Sequence, residues 1–571
     1  MKRSTYVLII ILIFIVLIAA AAASLVFMEF GREPAVRSHS RLEIRLQGEI
    51  NELVYPDWTS LFFGAGPRLS MHELWMNLRK ARADRRIDTV VLRLGPMICD
   101  WGKINELRDL VSDLRSGGKK VYAYIEEALE FDKEYFLATA CDRIVLHPEG
   151  FLIINGIGGS TPFLQQTLDK LGIEAEVEHE EEYKTAYHMF LHDGFTPEHR
   201  EMMESLYGSL FDRYVEGVAE TRGKSREEIA ELIDKGFFSA EEARKAGLID
   251  DVLYEDQLQD MLKREHGNLT RISHSRYLRT APPASLGLNR GRKIALIYGM
   301  GPILTGEGFI SFMGSGSTAR MIREARKDAS ISAIVFRVDS PGGSVVASDT
   351  IWREINLAKK EKPVVVSMSD MAGSGGYQVA MAAHKIVAQP QTLTGSIGVI
   401  FAKFNFSGLY EKLGIKSETV RRGKHADMFS SFRSLTSEER ELLHRNILDT
   451  YRRFVAKAAE GRNMPEEEIL RVAGGRVWTG EQARELGLID ELGGLSRAIE
   501  LARELAGIPE RDPIRLVVRP RAPSFWDTLF APKLPQLRAD LPPRLRSILQ
   551  TLRILEPQQP WALMPFWLNT D

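Results

Sequence analysis

Two halves of this chain carry the same sequence pattern, and this internal repeat constrains the fold more than any other feature. Four segments of the first half recur in the second half in the same order, which indicates a duplicated domain rather than a short-period solenoid. The matching pairs are Thr89–Leu94 with Ala333–Val338 (offset 244), Tyr135–Val145 with Tyr377–Val387 (offset 242), Leu171–Ile173 with Leu413–Ile415 (offset 242), and Glu241–Asp250 with Glu481–Asp490 (offset 240).

Each copy predicts an α/β fold built on a parallel sheet. Apolar, β-rich runs alternate with stretches whose apolar residues have helical spacing, and this alternation is typical of strands joined by crossover helices. The predicted strands are Leu42–Leu46, Thr89–Leu94 and Lys120–Tyr124, then Lys293–Tyr298, Ala333–Val338 and Pro363–Met368; the predicted helices include Met71–Ala83 and Thr318–Lys327.

The repeat divides the chain into five predicted segments. Residues 40–256 form the first copy and residues 293–510 the second, joined by a polar, loop-rich linker at 257–292. A membrane anchor at 1–28 precedes them, and a tail rich in proline and tryptophan follows at 511–571. Basic and apolar residues within the tail fit either a membrane-interface segment or a segment packed on the chain's own surface or on a neighbouring subunit.

The N-terminal segment predicts a single transmembrane helix. An uncharged apolar run of 23 residues, Tyr6–Met28, follows Lys2 and Arg3. A helix of that length spans a hydrocarbon core of about 30 Å. The positive charges predict a cytoplasmic N-terminus, with the rest of the chain on the far side of the membrane. A cleaved signal peptide is the alternative, because Ala19–Ser24 is rich in small residues.

Charge and cysteine content exclude some function classes. A net charge of −2, from 75 basic and 77 acidic residues, argues against a nucleic-acid binder. The two cysteines, Cys99 and Cys141, form no CxxC pair, so neither a zinc site nor a redox motif is predicted. Cys141 lies in an apolar run and is expected to be a buried thiol, although a disulfide between the two stays open.

The two copies differ where a catalytic site is expected. Ser374 of the second copy falls opposite Asp132 at an offset of 242, and Lys184 of the first copy falls opposite Ala426. One copy therefore has the serine and the other the lysine. This complementary loss is what a single site shared between two halves would produce.

Ser374 lies in Gly373–Gly376, between an apolar strand and a helix-like run. A serine at a strand-to-helix turn presents its hydroxyl, glycines let a substrate approach, and free helical N–H groups can stabilise an anion. A lone motif of this kind is more often an ordinary turn, and no Walker lysine follows for a phosphate loop. The turn Asp339–Gly343 could supply a second oxyanion donor.

Lys184 can act as a base only when its amine is neutral, and burial favours that form. Its acidic surroundings, His179–Glu182, would equally suit an exposed lysine in an ion pair. Lys424 of the second copy is a competing candidate, because it lies two residues before the expected position.

Five motifs together resemble the signal peptide peptidase A (protease IV) family in its double-length form, within the Clp protease/crotonase superfamily. The resemblance covers roughly residues 40–510. Its marks are Tyr183–Ala186 (YKTA), Ser340–Ser344 (SPGGS), Ser374–Tyr377 (SGGY), Thr392–Gly398 (TLTGSIG) and Val477–Asp490 (VWTGEQARELGLID).

The resemblance implies a serine endopeptidase with a Ser–Lys dyad that acts through an acyl-enzyme. Ser374 would be the nucleophile and Lys184 the general base, with Ser396 orienting the lysine. The N–H groups of Gly343 and Gly375 would form the oxyanion hole, and no metal or cofactor is implied. Two residues depart from the family pattern: Asp339 stands in place of Asn, and Gly373 in place of the common Ala.

The resemblance further implies a homotetramer in the inner membrane that degrades released signal peptides and other short hydrophobic peptides on the extracytoplasmic side. The first copy would contribute a base and a wall rather than a second site. Two other interpretations remain open from sequence: an acyl-CoA enzyme of the crotonase type, and a non-catalytic membrane quality-control scaffold.

Overall fold

The computed structural model describes residues 14, 34–55, 69–126, 132–281, 290–308, 311–521 and 561–564. The predicted anchor, Tyr6–Met28, lies outside the described residues except for Phe14. Among the residues that are described, no helix is both long enough and apolar enough to cross a membrane.

The first copy alternates strands and helices along the chain. Its strands are β1 Ser40–Asn51, β2 Leu69–Ser70, β3 Ile87–Ile98, β4 Lys120–Ile125, β5 Arg143–Leu146, β6 Phe151–Ile153, β7 Glu174–His179, β8 Phe237–Ser239, β9 Asp251–Val252 and β10 Thr270–Ser273. Its helices are α1 Met71–Ala83, α2 Trp101–Ser116, α3 Asp132–Ala138, α4 Gln165–Leu171, α5 His188–Leu191, α6 Pro197–Arg222, α7 Arg226–Lys235, α8 Ala240–Lys245, α9 Glu255–His266 and α10 His274–Leu278, with a 3₁₀ turn at Thr185–Tyr187.

The second copy also alternates strands and helices. Its strands are β11 Arg292–Met300, β12 Ile303–Leu304, β13 Met313–Gly314, β14 Ile331–Ser340, β15 Gly342–Ser344, β16 Val364–Gly373, β17 Lys385–Ala388, β18 Leu393–Gly395, β19 Ile400–Asn405, β20 Val477–Thr479, β21 Glu491–Leu492 and β22 Ile514–Arg519, and β23 Trp561–Leu563 lies in the distal tail. Its helices are α11 Ser315–Lys327, α12 Val345–Lys359, α13 Gly375–Ala380, α14 Ser407–Lys412, α15 Ser437–Arg462, α16 Glu466–Val472, α17 Gly480–Glu485 and α18 Leu495–Leu505.

Each copy contains a largely parallel sheet, which confirms the predicted α/β class. The first sheet has the order β10-β1-β3-β4-β5-β9, and the second has the order β20-β18-β16-β14-β11-β22, with β17 and β21 continuing beside β16. The pairings β3–β4–β5 of the first copy recur as β14–β16–β17 in the second. The duplicated segments therefore occupy equivalent strands.

Two predicted boundaries differ from the structure. The segment 257–292, predicted as a linker, contains most of helix α9, strand β10 and helix α10, and β10 pairs with β1 of the first sheet. The tail predicted from residue 511 begins with β22, which pairs with β11 at the edge of the second sheet. Composition did not reveal β10 or β22, because the pairing of a short strand with a distant sheet edge is not a local property of its sequence.

The two copies share one hydrophobic core. A buried apolar cluster runs through the first copy and continues onto one face of the second sheet at Leu296, Val335 and Val365. The alternate residues Phe336 and Val366 face a second cluster on the other side of that sheet. Cys99 and Cys141 are buried free thiols, so the expectation for Cys141 is confirmed and no disulfide joins them.

Buried charges connect the copies at their interface. The guanidinium of Arg337, on β14, donates to Glu52 (2.8 Å) and Glu106 (2.6 Å) of the first copy, and its side chain is 1% exposed. Burial acts to raise the pKa of Glu52, but the charges of Arg337 and Lys103 outweigh it and lower that pKa to about 2. Glu52 is therefore ionised beside Arg337 and Lys103.

Across the same interface, side chains of each copy accept hydrogen bonds from backbone N–H groups at helix N-termini of the other copy. The carboxylate of Asp370 accepts N–H bonds from Asp100 (3.1 Å) and Lys103 (2.7 Å) at the start of α2. Glu106 reciprocates by accepting the N–H of Leu495 at the start of α18 (2.8 Å). Because each copy satisfies N-terminal amides of the other, the two copies have one defined relative position.

We expect Arg337→Ala to lower the free energy of unfolding by about 3–5 kcal/mol, because it leaves Glu52 and Glu106 buried without their counter-charge. Urea unfolding followed by circular dichroism measures the change. The matched control is Arg320→Ala, whose partner Glu307 is exposed; its loss should stay below about 1 kcal/mol. Equal losses for the two variants would contradict the role given to the buried cluster.

Candidate active site

Ser374 lies at the end of β16, one residue before α13, as the sequence predicts. Its backbone has φ 52° and ψ −111°, in a region that non-glycine residues rarely adopt. Its N–H donates to the carbonyl of Gly395 (2.8 Å), which helps to hold this conformation. A strained serine between a strand and a helix has its hydroxyl fixed in direction, as in other nucleophile turns.

Lys184 reaches Ser374 from the first copy. Its Nζ lies 2.7 Å from the Oγ of Ser374 and 2.9 Å from the Oγ of Ser396, and it also contacts the carbonyl oxygen of Ser396 at 3.0 Å. The three side chains are fully buried. The structure thus brings together the serine, the lysine and the second serine that the sequence singled out.

Burial lowers the pKa of Lys184 well below the ordinary 10.5. The groups that its amine contacts are hydroxyl and carbonyl oxygens, which carry no formal negative charge to hold a proton on it. An amine in such surroundings favours the neutral form, which can accept a proton.

Strand β7 positions Lys184 against the second copy. It pairs antiparallel with β19 of that copy, in a register that sets Glu174 opposite Asn405 and His179 opposite Ile400. A buried ion pair between Glu176 and Lys403 (3.0 Å) joins the two strands. Lys184 follows this strand by five residues, so the pairing fixes where the lysine can reach.

A glycine turn makes room for the lysine. The carbonyl of Gly474 accepts the N–H of Tyr183 (3.1 Å), and a Cβ on Gly475 would lie 2.6 Å from the Cα of Lys184. A Cβ on Gly398 would likewise lie 3.1 Å from the Cδ of Lys184. Sequence reasoning missed the role of Gly475, although the pair Gly474-Gly475 directly before the motif at Val477 was a readable signal.

One predicted oxyanion donor follows the serine in sequence, and the other lies on a strand that packs against the next helix. Gly375 is the first residue of α13, and Gly343 lies in β15, against which α13 packs. Gly343 pairs with Ile303 of β12, whose backbone would overlap any side chain at that position. Close strand approach therefore explains why residue 343 is glycine.

The structure also places three other residues that the sequence analysis singled out. Lys424, the competing base, is 69% exposed and pairs with Glu438 at the surface. Asp339 binds Lys103 of the first copy (2.7 Å), so the acidic residue at this position has a buried counter-charge. Asp132, which falls opposite Ser374, accepts backbone N–H bonds from Asn155 and Gly156 (3.2 Å each).

An apolar pocket lies beside Gly373 and Ser374. Both copies contribute to it, since Met202 and Leu206 come from α6 while Leu393 and Val477 come from β18 and β20. Tyr183 and Met371 pack against its rim. The side chain of Met564, from the distal tail, fills it and is 1% exposed.

Comparison with known proteins shows a match to one protein family in both copies. The peptidase family S49 model matches residues 113–269 and 356–509, once in each copy. The chain is 38% identical over 493 residues to the chloroplastic serine protease SPPA of Arabidopsis thaliana, covering 84% of this chain and 71% of that protein. It is 32% identical over 508 residues to protease 4 of Salmonella typhi, covering 86% of this chain and 80% of the relative.

A further relative is protease 4 of Haemophilus influenzae, which is 30% identical over 453 residues, covering 77% of this chain and 73% of that protein. Among solved structures, ClpP1 of Listeria monocytogenes matches 36% of this chain and 94% of its own at 17% identity, with a TM-score of 0.24. That structural likeness is too weak to bear on function.

The family model and these relatives define the chain as a serine peptidase. It belongs to peptidase family S49. The acyl-CoA and non-catalytic interpretations find no support among these relatives, whose names are those of proteases.

We expect Gly475→Ala to lower kcat/KM for peptide hydrolysis by about 10²-fold, because the new methyl group displaces Lys184 from the serine. The control is Gly474→Ala. Both glycines have positive φ (79° and 65°), but a Cβ at residue 474 meets nothing closer than 3.5 Å. The two variants thus share the backbone strain and differ in the collision. A similar loss in both would attribute the effect to strain alone.

Proposed function

We propose that this chain is an endopeptidase whose Ser374 and Lys184 act as a dyad on extended apolar peptides. The observation that carries the proposal is the 2.7 Å contact between Lys184 Nζ and Ser374 Oγ, two side chains that are fully buried. The relatives named as proteases support the reaction class.

The neutral amine of Lys184 has two N–H donors and one lone pair. Both oxygens of Ser396 lie within hydrogen-bond distance and can accept the two N–H bonds, which leaves the lone pair facing the hydroxyl of Ser374. In the first step Lys184 takes the hydroxyl proton as Ser374 Oγ attacks the peptide carbonyl carbon. The N–H groups of Gly343 and Gly375 bind the oxyanion that forms.

Collapse of the tetrahedral intermediate then breaks the C–N bond. The protonated Lys184 gives its proton to the leaving amine, and an ester links the acyl group to Ser374. Water, deprotonated by the same lysine, then attacks that ester. The bond between the acyl carbon and Ser374 Oγ breaks, the peptide acid is released, and Lys184 returns the proton to Ser374 Oγ. Because one amine serves both half-reactions, its pKa has to lie near the working pH.

Replacement of either dyad residue tests the mechanism. We expect Ser374→Ala and Lys184→Ala each to lower kcat/KM for a short apolar peptide by at least about 10³-fold. Lys424→Ala is the matched lysine control and should keep wild-type activity, because its side chain is exposed at a surface ion pair. Loss of activity in Lys424→Ala with retention in Lys184→Ala would move the base into the second copy.

The pH dependence of kcat/KM gives a second, independent test. The value of kcat/KM should rise with pH and reach a plateau above the apparent pKa of Lys184, because the active form is the neutral amine. That pKa should lie well below 10.5. The same shift lowers stability, since the unfolded chain binds a proton that the buried amine gives up. Lys184→Met should therefore raise the free energy of unfolding at neutral pH, on the order of 1 kcal/mol, while abolishing activity. An acidic limb at the pKa of an ordinary lysine would refute this role.

We also propose that the apolar run Tyr6–Met28 anchors the peptidase in the inner membrane, that the site faces the extracytoplasmic side, that the active form is a homotetramer and that cleaved signal peptides are among its substrates. The length of the run and the charges before it support the anchor. Pelleting with membranes after alkaline extraction, compared between the full chain and a chain lacking residues 1–28, measures the anchoring. Equal release of both chains would contradict it.

A further inference from the structure

A one-strand slot lies next to the catalytic residues. The third sheet of the molecule has the order β13-β12-β15-β23-β19-β7. Within it β15 carries Gly343, and β19 follows shortly after the segment that holds Ser396. These two strands do not pair with each other in this sheet, because β23 stands between them. An extended peptide bound at this site would add a strand in the same position.

Residues of the distal tail occupy that slot as an antiparallel strand. The register sets Leu563 opposite Gly342, Ala562 opposite Gly343 and Trp561 opposite Ser344. On its other side Trp561 pairs with Ile400 of β19. The tail backbone is thus held from both sides, directly across the predicted oxyanion donor.

Met564 completes the likeness to a bound peptide. Its N–H donates to the carbonyl of Pro341 (2.9 Å), and its side chain fills the pocket between Met202, Leu206, Leu393 and Val477. A methyl group on Gly373, the residue before the nucleophile, would overlap the Met564 side chain. Glycine at position 373 therefore leaves the room that the Met564 side chain occupies in this pocket.

We propose that residues 561–564 are an internal competitor for the substrate, so that a peptide has to displace the chain's own tail strand before it is cleaved. The proposal rests on the proposed peptidase site. Tethering makes occupancy independent of protein concentration, and effective concentrations of tethered ligands reach about the millimolar range. Removing the competitor therefore lowers KM and leaves kcat unchanged, since the catalytic groups themselves are not altered.

Two substitutions in the full-length chain weaken the tail strand by different means. Met564→Glu brings a carboxylate to an apolar pocket, where burial of an unpaired charge is unfavourable. Ala562→Pro removes the backbone N–H of the residue opposite Gly343. Both should lower KM for a short apolar peptide by about tenfold or more. Met564→Leu keeps an apolar side chain and should leave KM at the wild-type value.

A binding measurement separates this proposal from the proposed catalysis. In the Ser374→Ala background, the anisotropy of a fluorescein-labelled apolar peptide reports occupancy of the slot without turnover. We expect Ser374→Ala/Met564→Glu and Ser374→Ala/Ala562→Pro to bind the peptide about tenfold more tightly than Ser374→Ala alone.

The outcomes are distinct. Hydrolysis by the wild type, with unchanged KM and peptide affinity in both tail variants, would overturn the competitor and leave the peptidase standing. Absence of hydrolysis in every chain with intact Ser374, together with tighter peptide binding in the tail variants, would overturn the proposed dyad and support the competitor. Tighter binding by only one of the two variants would also count against the competitor, because both act on the same strand.

Discussion

The position of the second copy relative to the first depends on charges that are buried between them. Arg337 faces Glu52 and Glu106, and Lys103 faces Asp339 and Asp370; all of these side chains except the partly exposed Asp339 are buried. Each charge is tolerable there only because its partner is present, so the ionic contacts permit few other arrangements of the two copies. The contact between Lys184 and Ser374 requires such precision, because a displacement of about 1 Å across this interface already removes a productive hydrogen bond.

Function and stability oppose each other at Lys184. An amine buried against hydroxyl and carbonyl oxygens lacks the carboxylate partner that the buried cations Arg337, Lys103 and Lys403 possess. Burying this amine lowers the stability of the fold. The surrounding contacts offset that loss, including the pairing of β7 with β19 and the ion pair between Glu176 and Lys403. The backbone of Ser374 and Ser396, both with φ of 52°, adds strain in the same few residues. The buried amine and the strained backbone thus lie together at the proposed nucleophile, Ser374.

The repeat and the motifs predicted much of the fold and part of the site. The helix Met71–Ala83 has the predicted bounds, and the predicted central strands appear, because apolar periodicity is a local property that the sequence carries directly. Comparing the copies in register singled out Ser374 and Lys184, which the structure brings into contact. The catalytic roles of these residues remain predictions.

Elements that depend on partners distant in sequence could not be predicted from local sequence patterns. Strands β7, β22 and β23 join sheets through partners far away in sequence, and the composition of a short segment does not reveal which sheet edge it will meet. The segment 257–292 was predicted as a linker for the same reason: strand β10 within it is defined by its pairing with β1 rather than by its composition. The close approach of Gly475 to Lys184 depends on two loops from different copies, so only the glycines themselves could have suggested it.

Under the proposed mechanism, duplication has given this chain one catalytic site, in which Lys184 comes from one copy and Ser374 from the other. The ancestry of that site is divided between the two copies. Each copy now lacks what the other supplies, so under the proposed mechanism neither half could be lost, exchanged or returned to independence without ending activity. Such mutual dependence works as an evolutionary ratchet: once the serine was lost from one half and the lysine from the other, selection could act only on the pair.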